Sequence, residues 1–292
     1  MKPSKLKLFF IKMKNWCSVM WSTRTQEGPW YFFHISYFLL NTATLLEKIH
    51  KPTGRRWRMY LQKRFAREII INNSLGRFSV NPKNDSLTKS ITSFEYNHQD
   101  WLAAASHTGI FIDIGANIGF YSILAAKQYD FSHIHAFEPN PDTYHRLQKN
   151  ITLNNLTDKV TIHTVALGSE ISHASLTAKR THTGGSTLVP YNNNQSDSSV
   201  VDVPVTTYDH LSTEQHIPAQ EIGFIKIDVE GYEYPVLQGM QDTLAQLRSG
   251  ACLFIEIHPH APNAPETKEL IEEYGFKMVK SSPQKNFLYI KE

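Results

Sequence analysis

Cysteine is nearly missing from this chain: its 292 residues contain two, Cys17 and Cys252. The two lie far apart, and Cys252 falls inside the apolar run "ACLFIEIH", where a buried reduced thiol is the ordinary state. A disulfide framework is therefore not expected, and a reducing, cytoplasmic compartment is. An uninterrupted apolar stretch is also missing. Lys12 and Lys14 break "LFFIKMKNW" before it reaches the length of a signal peptide. The longest candidate for a membrane segment, Trp30 to Leu46, spans 17 residues and contains His34, Ser36, Asn41 and two threonines. A spanning helix needs about 20 predominantly apolar residues, so this run reads as a helix lying on a surface or docked on a core. No internal repeat occurs at a fixed period, and low complexity is confined to "YNNNQSDSS", Tyr191 to Ser199, a polar loop.

What is present is an ordinary globular composition with an uneven charge. Hydrophobic residues make up 41% and charged residues 20%, enough apolar surface for one large α/β core with an appended piece. The net charge of +3 hides an asymmetry: residues 1–70 hold fourteen Lys and Arg against three Glu, a balance of +11 that leaves −8 for the rest. Four of the five tryptophans, Trp16, Trp21, Trp30 and Trp57, fall in the same segment. Positive charge mixed with amphipathic rings suits a polyanionic surface. Peripheral membrane contact through residues 1–70 and a helical cap packed on the catalytic domain are equal expectations for this segment. Nucleic acid ranks below them, because no base-stacking module is recognisable.

Turn chemistry in "NNSLG" and "NPKNDS" around a short strand, "RFSV", places a boundary near residue 72. This gives a basic, aromatic, helical extension over 1–72 and a catalytic domain over 73–292. The following "SITSFEYNHQDWLAAAS" reads as a short helical cap. From residue 110 apolar β-rich runs alternate with helical ones: "GIFIDIG", "HIHAFEP", "KVTIHTVAL", "EIGFIKIDV" and "ACLFIEIH" read as strands. "GFYSILAAKQY", "PDTYHRLQKNITLNN", "YEYPVLQGMQDTLAQLR" and "ETKELIEEYG" read as helices, and Gly168 to His216 as irregular. Near-continuous apolar strands separated by helices predict a mostly parallel sheet covered on both faces. The last two strands, "FKMVKS" and "NFLYIK", form an antiparallel hairpin turning near Ser282 to Lys285.

One further lack is informative. The loop after the first of these strands reads G-A-N-I-G, Gly115 to Gly119, with Asn117 where a dinucleotide fingerprint places its second glycine. That weakens the case for a pyrophosphate, which needs close backbone approach there. Gly115 and Gly119 suit a sharp turn open to a ligand, and Asn117 a helix start. Asp113, in the last turn of the strand, would repel phosphate and attract an ammonium. Glu138, 25 residues on at the end of the next strand, can accept hydrogen bonds from two ribose hydroxyls. An ammonium, a ribose and no phosphate describe S-adenosylmethionine.

The blocks "FIDIGANIGFYSILAA", "HAFEPNPDTYHRLQKNITLNN", "VALG", "IGFIKIDVEGYEYPVLQGM" and "LFIEIHP" together resemble the FkbM family of S-adenosylmethionine-dependent methyltransferases. The resemblance covers about residues 75–290. It implies a Rossmann-like class I methyltransferase fold, with a seven-stranded mostly parallel sheet, one antiparallel strand and helices on both faces, and usually O-methylation. It places the methionine end of the cofactor around Asp113, Gly115 and Asn117, the ribose at Glu138 with Asn140 beside it, and the adenine near Ala166. The basic segment lies outside it and inherits nothing.

A second cluster ends the fourth and fifth core strands: Asp228 and Glu230 in "IKIDVEGYE", Glu256, His258 and His260 in "IEIHPH". Alternate residues of a strand share a face, so these side chains are candidates to converge on one crevice. Methyl transfer to a hydroxyl needs a group that removes the acceptor proton. His258 has the ordinary pKa closest to neutrality. Asp228 is also a candidate contact to the methionine portion, leaving Glu230 or His258 as the base. The same O and N donors are compatible with a divalent ion, but none is predicted. His260, between prolines, reads as a loop residue. "THTGGSTLVP", Thr181 to Pro190, is either a substrate-facing loop or a plain surface hairpin. The expected function is methyl transfer from S-adenosylmethionine to a hydroxyl of a glycan, glycolipid or secondary metabolite, including a lipid-linked acceptor. The alternative is a membrane-surface or nucleic-acid-associated protein whose basic segment is the main binding element.

Overall fold

The computed structural model describes residues 24–25, 69–73, 75–80, 99–105, 109–179, 186–189, 198–283 and 285–292. The expectations for the helical character of residues 1–70, for Trp30 to Leu46, and for most of "THTGGSTLVP" and "YNNNQSDSS" lie outside these residues. Contacts divide the chain into two compact units, Met1–Tyr96 and Asn97–Glu292. In the first, β1 (Arg24–Thr25), β2 (Ile69–Asn73) and β3 (Gly76–Val80) form an antiparallel sheet in that order. The sequence-based strand "RFSV" is β3.

The second unit opens with one helical turn, α1 (Gln99–Leu102), and is built on seven strands. These are β4 (Ile110–Ile114), β5 (Ile134–Phe137), β6 (Val160–His163), β10 (Ile222–Ile227), β11 (Cys252–Glu256), β12 (Phe276–Ser281) and β13 (Asn286–Lys291). Their spatial order is β12-β13-β11-β10-β4-β5-β6, and β13 runs antiparallel to both its neighbours. This is the Rossmann-like class I methyltransferase sheet with one reversed strand that the resemblance implied. The chain turns between β4 and β10 to opposite halves of the sheet, so the crevice beyond the carboxyl end of β4 is its topological switch point.

Alternation along the strands sorts the two faces. Ile112, Ile114, Ile225, Ile227, Leu253 and Ile255 are at most 1% exposed and share a single aliphatic core. Residues of α4 (Tyr208–Glu214), α5 (Glu233–Gln238), α6 (Gln241–Gln246) and α7 (Ala264–Glu273) close it, among them Leu211, Leu237, Leu244 and Ile271. Each such side chain, once buried, contributes about 1.5–3 kcal/mol. The opposite face is aromatic: Phe111 packs on Phe131 and Phe224, and Phe254 meets Trp101 and Tyr121 edge to face. Tyr121 belongs to α2 (Phe120–Gln128), which follows β4, and α3 (Pro141–Leu153) follows β5.

Three readings of the sequence are corrected. "KVTIHTVAL" is not one strand: β6 ends at His163, and β7 (Ala166–Leu167) joins a separate small sheet, β7-β9-β8. Residues 168–216 are not irregular throughout, since β8 (Ser172–Lys179) and β9 (Ser198–Thr206) pair along their whole length and α4 follows. "YEYPVLQGMQDTLAQLR" is two helices, α5 and α6, interrupted at Gly239. A Cβ on Gly239 would stand 1.9 Å from the Gly168 carbonyl oxygen, so the break lets two backbones touch.

Candidate active site

The register of β4 and β10 sets the centre of the site. Lys226 lies directly across from Asp113, and both side chains are withdrawn from solvent, at 3% and 0% exposure. The Lys226 ammonium stands 3.2 Å from Asp113 Oδ1, donates to the Gly115 carbonyl oxygen at 2.8 Å, and lies 3.8 Å from Asp228 Oδ2. The Tyr121 ring sits 5.5 Å from it, within cation–π range. Asp113 Oδ2 accepts the Ser122 hydroxyl at 2.6 Å. Asp113 thus has a cation, as the sequence suggested, but it belongs to the chain itself. The Asp113 side chain is inside the core, fully withdrawn from solvent.

Both loop glycines are required by the chain's own packing. Gly115 has φ 75°, and a Cβ there would come within 1.9 Å of the Asp228 carbonyl oxygen. Gly119, φ 87°, is the N-cap of α2, and its Cβ would meet Leu147 of α3 at 2.5 Å. The turn is as sharp as expected, but the space left by the missing side chains is filled by protein. Asn117 does not cap α2. It occupies the left-handed region at φ 53°, its N–H donates to Glu138 Oε2 at 2.9 Å, and its Oδ1 is buried with no hydrogen-bond partner among the described residues.

Glu138 leaves the end of β5 at 6% exposure. The Asn140 N–H donates to its Oε1 at 3.0 Å, so both carboxylate oxygens are held by backbone donors and keep free lone pairs. Burial pushes its pKa up to about 7, and Asp113 adds to the rise; the two N–H bonds and Lys226 oppose it. Asn140 is the N-cap of α3, accepting from Asp142 N–H, while its Nδ2 donates to Ser186 at 3.2 Å. Ala166 is 4% exposed in β7 and packs with Leu176, Val203 and Val205, so its side chain serves that small core.

On the other side of β4, Asp228 follows β10 with its side chain 35% exposed, and its N–H donates to the Ile114 carbonyl. Glu230 is exposed, left-handed at φ 54°, and its carbonyl accepts from the Thr187 hydroxyl at 2.9 Å. Ser186 and Thr187 are therefore tied to the ends of β5 and β10, the strands flanking β4. Glu233 was not singled out from the sequence. It is 2% exposed and accepts the N–H groups of Gly231 and Val229, with a pKa pushed up to about 7 by burial and, more weakly, by Asp228. His258 stands apart, exposed beyond β11, with Nε2 at 2.6 Å from the Lys285 ammonium and Nδ1 near the His260 N–H. Desolvation, Lys285 and His260 hold its pKa below the ordinary value. The structure gathers Asp113, Asp228, Glu138 and Asn140 around the β4 loop and turns the His258 ring toward the hairpin of β12 and β13. Among the described residues no three His, Cys, Asp or Glu side chains group closely enough for a metal ion, and no helix is long and apolar enough to cross a membrane.

Sequence reasoning missed Lys226, whose signal was a lone charge inside the apolar strand "IGFIKI", buried along its whole length.

The methyltransferase FkbM domain model matches residues 113–278. Methyltransferase 1 of Beauveria bassiana is 28% identical over 186 residues, covering 59% of this chain and 74% of that protein. The hexuronic acid methyltransferase AglP of Haloferax volcanii is 27% identical over 180 residues, covering 59% and 65%. A solved FkbM methyltransferase from Methylobacillus flagellatus KT aligns with a TM-score of 0.44 at 16% identity, over 70% of this chain and 52% of that one.

Proposed function

The chain belongs to the methyltransferase FkbM domain family, and from that premise we propose that it transfers a methyl group from S-adenosylmethionine to a hydroxyl oxygen of a glycan, glycolipid or secondary metabolite. The observation that carries this reading is Glu138, a buried carboxylate fixed by two backbone N–H groups at the end of β5, beside the unpartnered Oδ1 of Asn117. These groups fit a ribose-bearing cationic cofactor and offer nothing to a pyrophosphate.

S-Adenosylmethionine supplies, when bound, an electrophilic methyl on a sulfonium. Glu138 accepts hydrogen bonds from neighbouring hydroxyls with the lone pairs its backbone donors leave. Asn117 Oδ1 offers one more acceptor at the turn. The acceptor's proton must leave as the new bond forms. Asp228 and Glu230 are the rim groups able to take it, whereas the ring nitrogens of His258 are engaged by the Lys285 ammonium and the His260 N–H. The hexuronic acid in the name of the Haloferax relative supports a sugar among the acceptors. The +11 balance of residues 1–70 supports contact with an anionic surface, which a lipid-linked acceptor would require.

The test is transfer of labelled methyl from S-adenosylmethionine into a cell lysate, with products separated as lipid, glycan and small molecule. Label that requires the protein and disappears in Glu138→Ala is the expected result. No protein-dependent label in any fraction would overturn the reading.

A further inference from the structure

Two aspartates and one lysine meet at the ends of β4 and β10, leaving one negative charge in excess. The three carry different exposure: Asp113 has none, Lys226 about as little, and Asp228 is 35% exposed. Lys226 is nearer to Asp113, at 3.2 Å, than to Asp228, at 3.8 Å, and spends its close hydrogen bond on the Gly115 carbonyl. A buried carboxylate needs a compensating charge, whereas a carboxylate with solvent access keeps its own. We infer that Lys226 is a positioning residue: it neutralises Asp113 and pins the Gly115 turn, so that Asp228 is left as the carboxylate that meets the cationic portion of the methyl donor. The inference rests on the proposed use of S-adenosylmethionine; of the two aspartates that the sequence offered to the methionine end, it assigns the contact to Asp228 and gives Asp113 to Lys226.

The arrangement has a consequence that neither direct contact nor simple structural support shares. If Asp113 loses its charge, the Lys226 ammonium acts more fully on Asp228, 3.8 Å away, and Asp228 is quenched from inside. Removing the ammonium as well should release Asp228 again.

The experiment is calorimetric titration of the full chain with S-adenosylmethionine, alongside thermal melting to show that each variant is folded. Asp228→Asn should weaken binding about tenfold or more, as expected for losing a hydrogen-bonded charge. Asp113→Asn should weaken it comparably, although its side chain touches no ligand. The double variant Asp113→Asn with Lys226→Met should recover to within about threefold of the unaltered protein. A double variant as weak as Asp113→Asn overturns the inference, and so does an Asp228→Asn protein that binds normally. The Asp228→Asn result stands even if the buried variants fail to fold, because that side chain is partly in solvent. If the unaltered chain gives no heat with S-adenosylmethionine, the donor itself is wrong, an outcome distinct from normal binding by Asp228→Asn.

Discussion

Glu138 should make cofactor affinity depend on pH in a direction the structure fixes. Its carboxyl is raised from the ordinary 4.5 to about 7, burial being the largest cause. The acid form is therefore favoured in the folded protein, and the ionised form needed to accept two hydroxyl donors is the minority below neutrality. About a tenth of molecules carry the charge at pH 6 and about nine-tenths at pH 8. If only the ionised form binds, the apparent Kd equals the intrinsic value divided by that fraction and falls about tenfold across this interval. The ligand's own amino group titrates nearby, so the quantity to measure is the ratio of Kd values for Glu138→Gln and the unaltered protein, by calorimetry at each pH. The ratio should rise about tenfold from pH 6 to pH 8, because glutamine cannot ionise. The linkage has a second face: a raised carboxyl pKa contributes stability that is complete below pH 4.5 and lost as pH rises through 7. From pH 5 to pH 8 the melting temperature of Glu138→Gln should accordingly rise relative to that of the unaltered protein while its relative affinity falls; the amide nitrogen leaves one of the two backbone N–H donors unpaired, a cost that is the same at every pH. A flat Kd ratio, with no change in relative melting temperature, would refute the reasoning.

Other consequences are independent of the ligand. His135 and His163, with Nδ1 and Nε2 3.0 Å apart, are pulled down by burial, and by neighbouring histidines, to about 3 and about 4. Their contribution is complete above pH 6.5 and lost as pH falls through those values, so His163→Gln should reduce the acid-induced loss of stability by about 1–2 kcal/mol in urea titrations at pH 7 and pH 4. An unchanged pH slope would count against it. Gly115→Ala should cost about 2–5 kcal/mol, since a positive φ is combined with a 1.9 Å approach to the Asp228 carbonyl. Gly250→Ala, with φ 87° and nothing within 4 Å, should cost only about 1–2 kcal/mol, and equal losses in thermal melts would contradict this account. Replacing Arg55, Arg56 and Arg58 by Glu in the full chain should reduce sedimentation with anionic vesicles. Retained binding would argue against membrane contact through residues 1–70.

The sheet was legible because its strands are short, apolar and separated by amphipathic helices, a pattern that local composition carries unaided. "IFIDI" and "CLFIE" could hardly be read otherwise. The breaks that were missed depend on tertiary approach. Gly239 is an ordinary helix residue until Gly168 is brought against it, and nothing local separates His163 from Ala166 into different sheets. At the site, Glu138 announced itself as an acid at a strand end. Asp113 did so for a reason that turned out to be internal, since only the β4–β10 register reveals that Lys226 faces it. Glu233 was hidden by its neighbours: in "DVEGYE" three acids look equivalent, and only burial separates it from exposed Glu230.

The reversed strand β13 ties the edge of the sheet to the order of synthesis. In sequence it is the last of the seven strands, yet in space it lies between β11 and β12. While the chain is being made, β12 emerges first and has no strand to pair with, because β13, its neighbour in the sheet, is still to come. The growing sheet therefore ends at β11, with an open ladder edge, until residues 286–291 are translated. The last strand acts as a keystone, and two strands are added to the fold in one step.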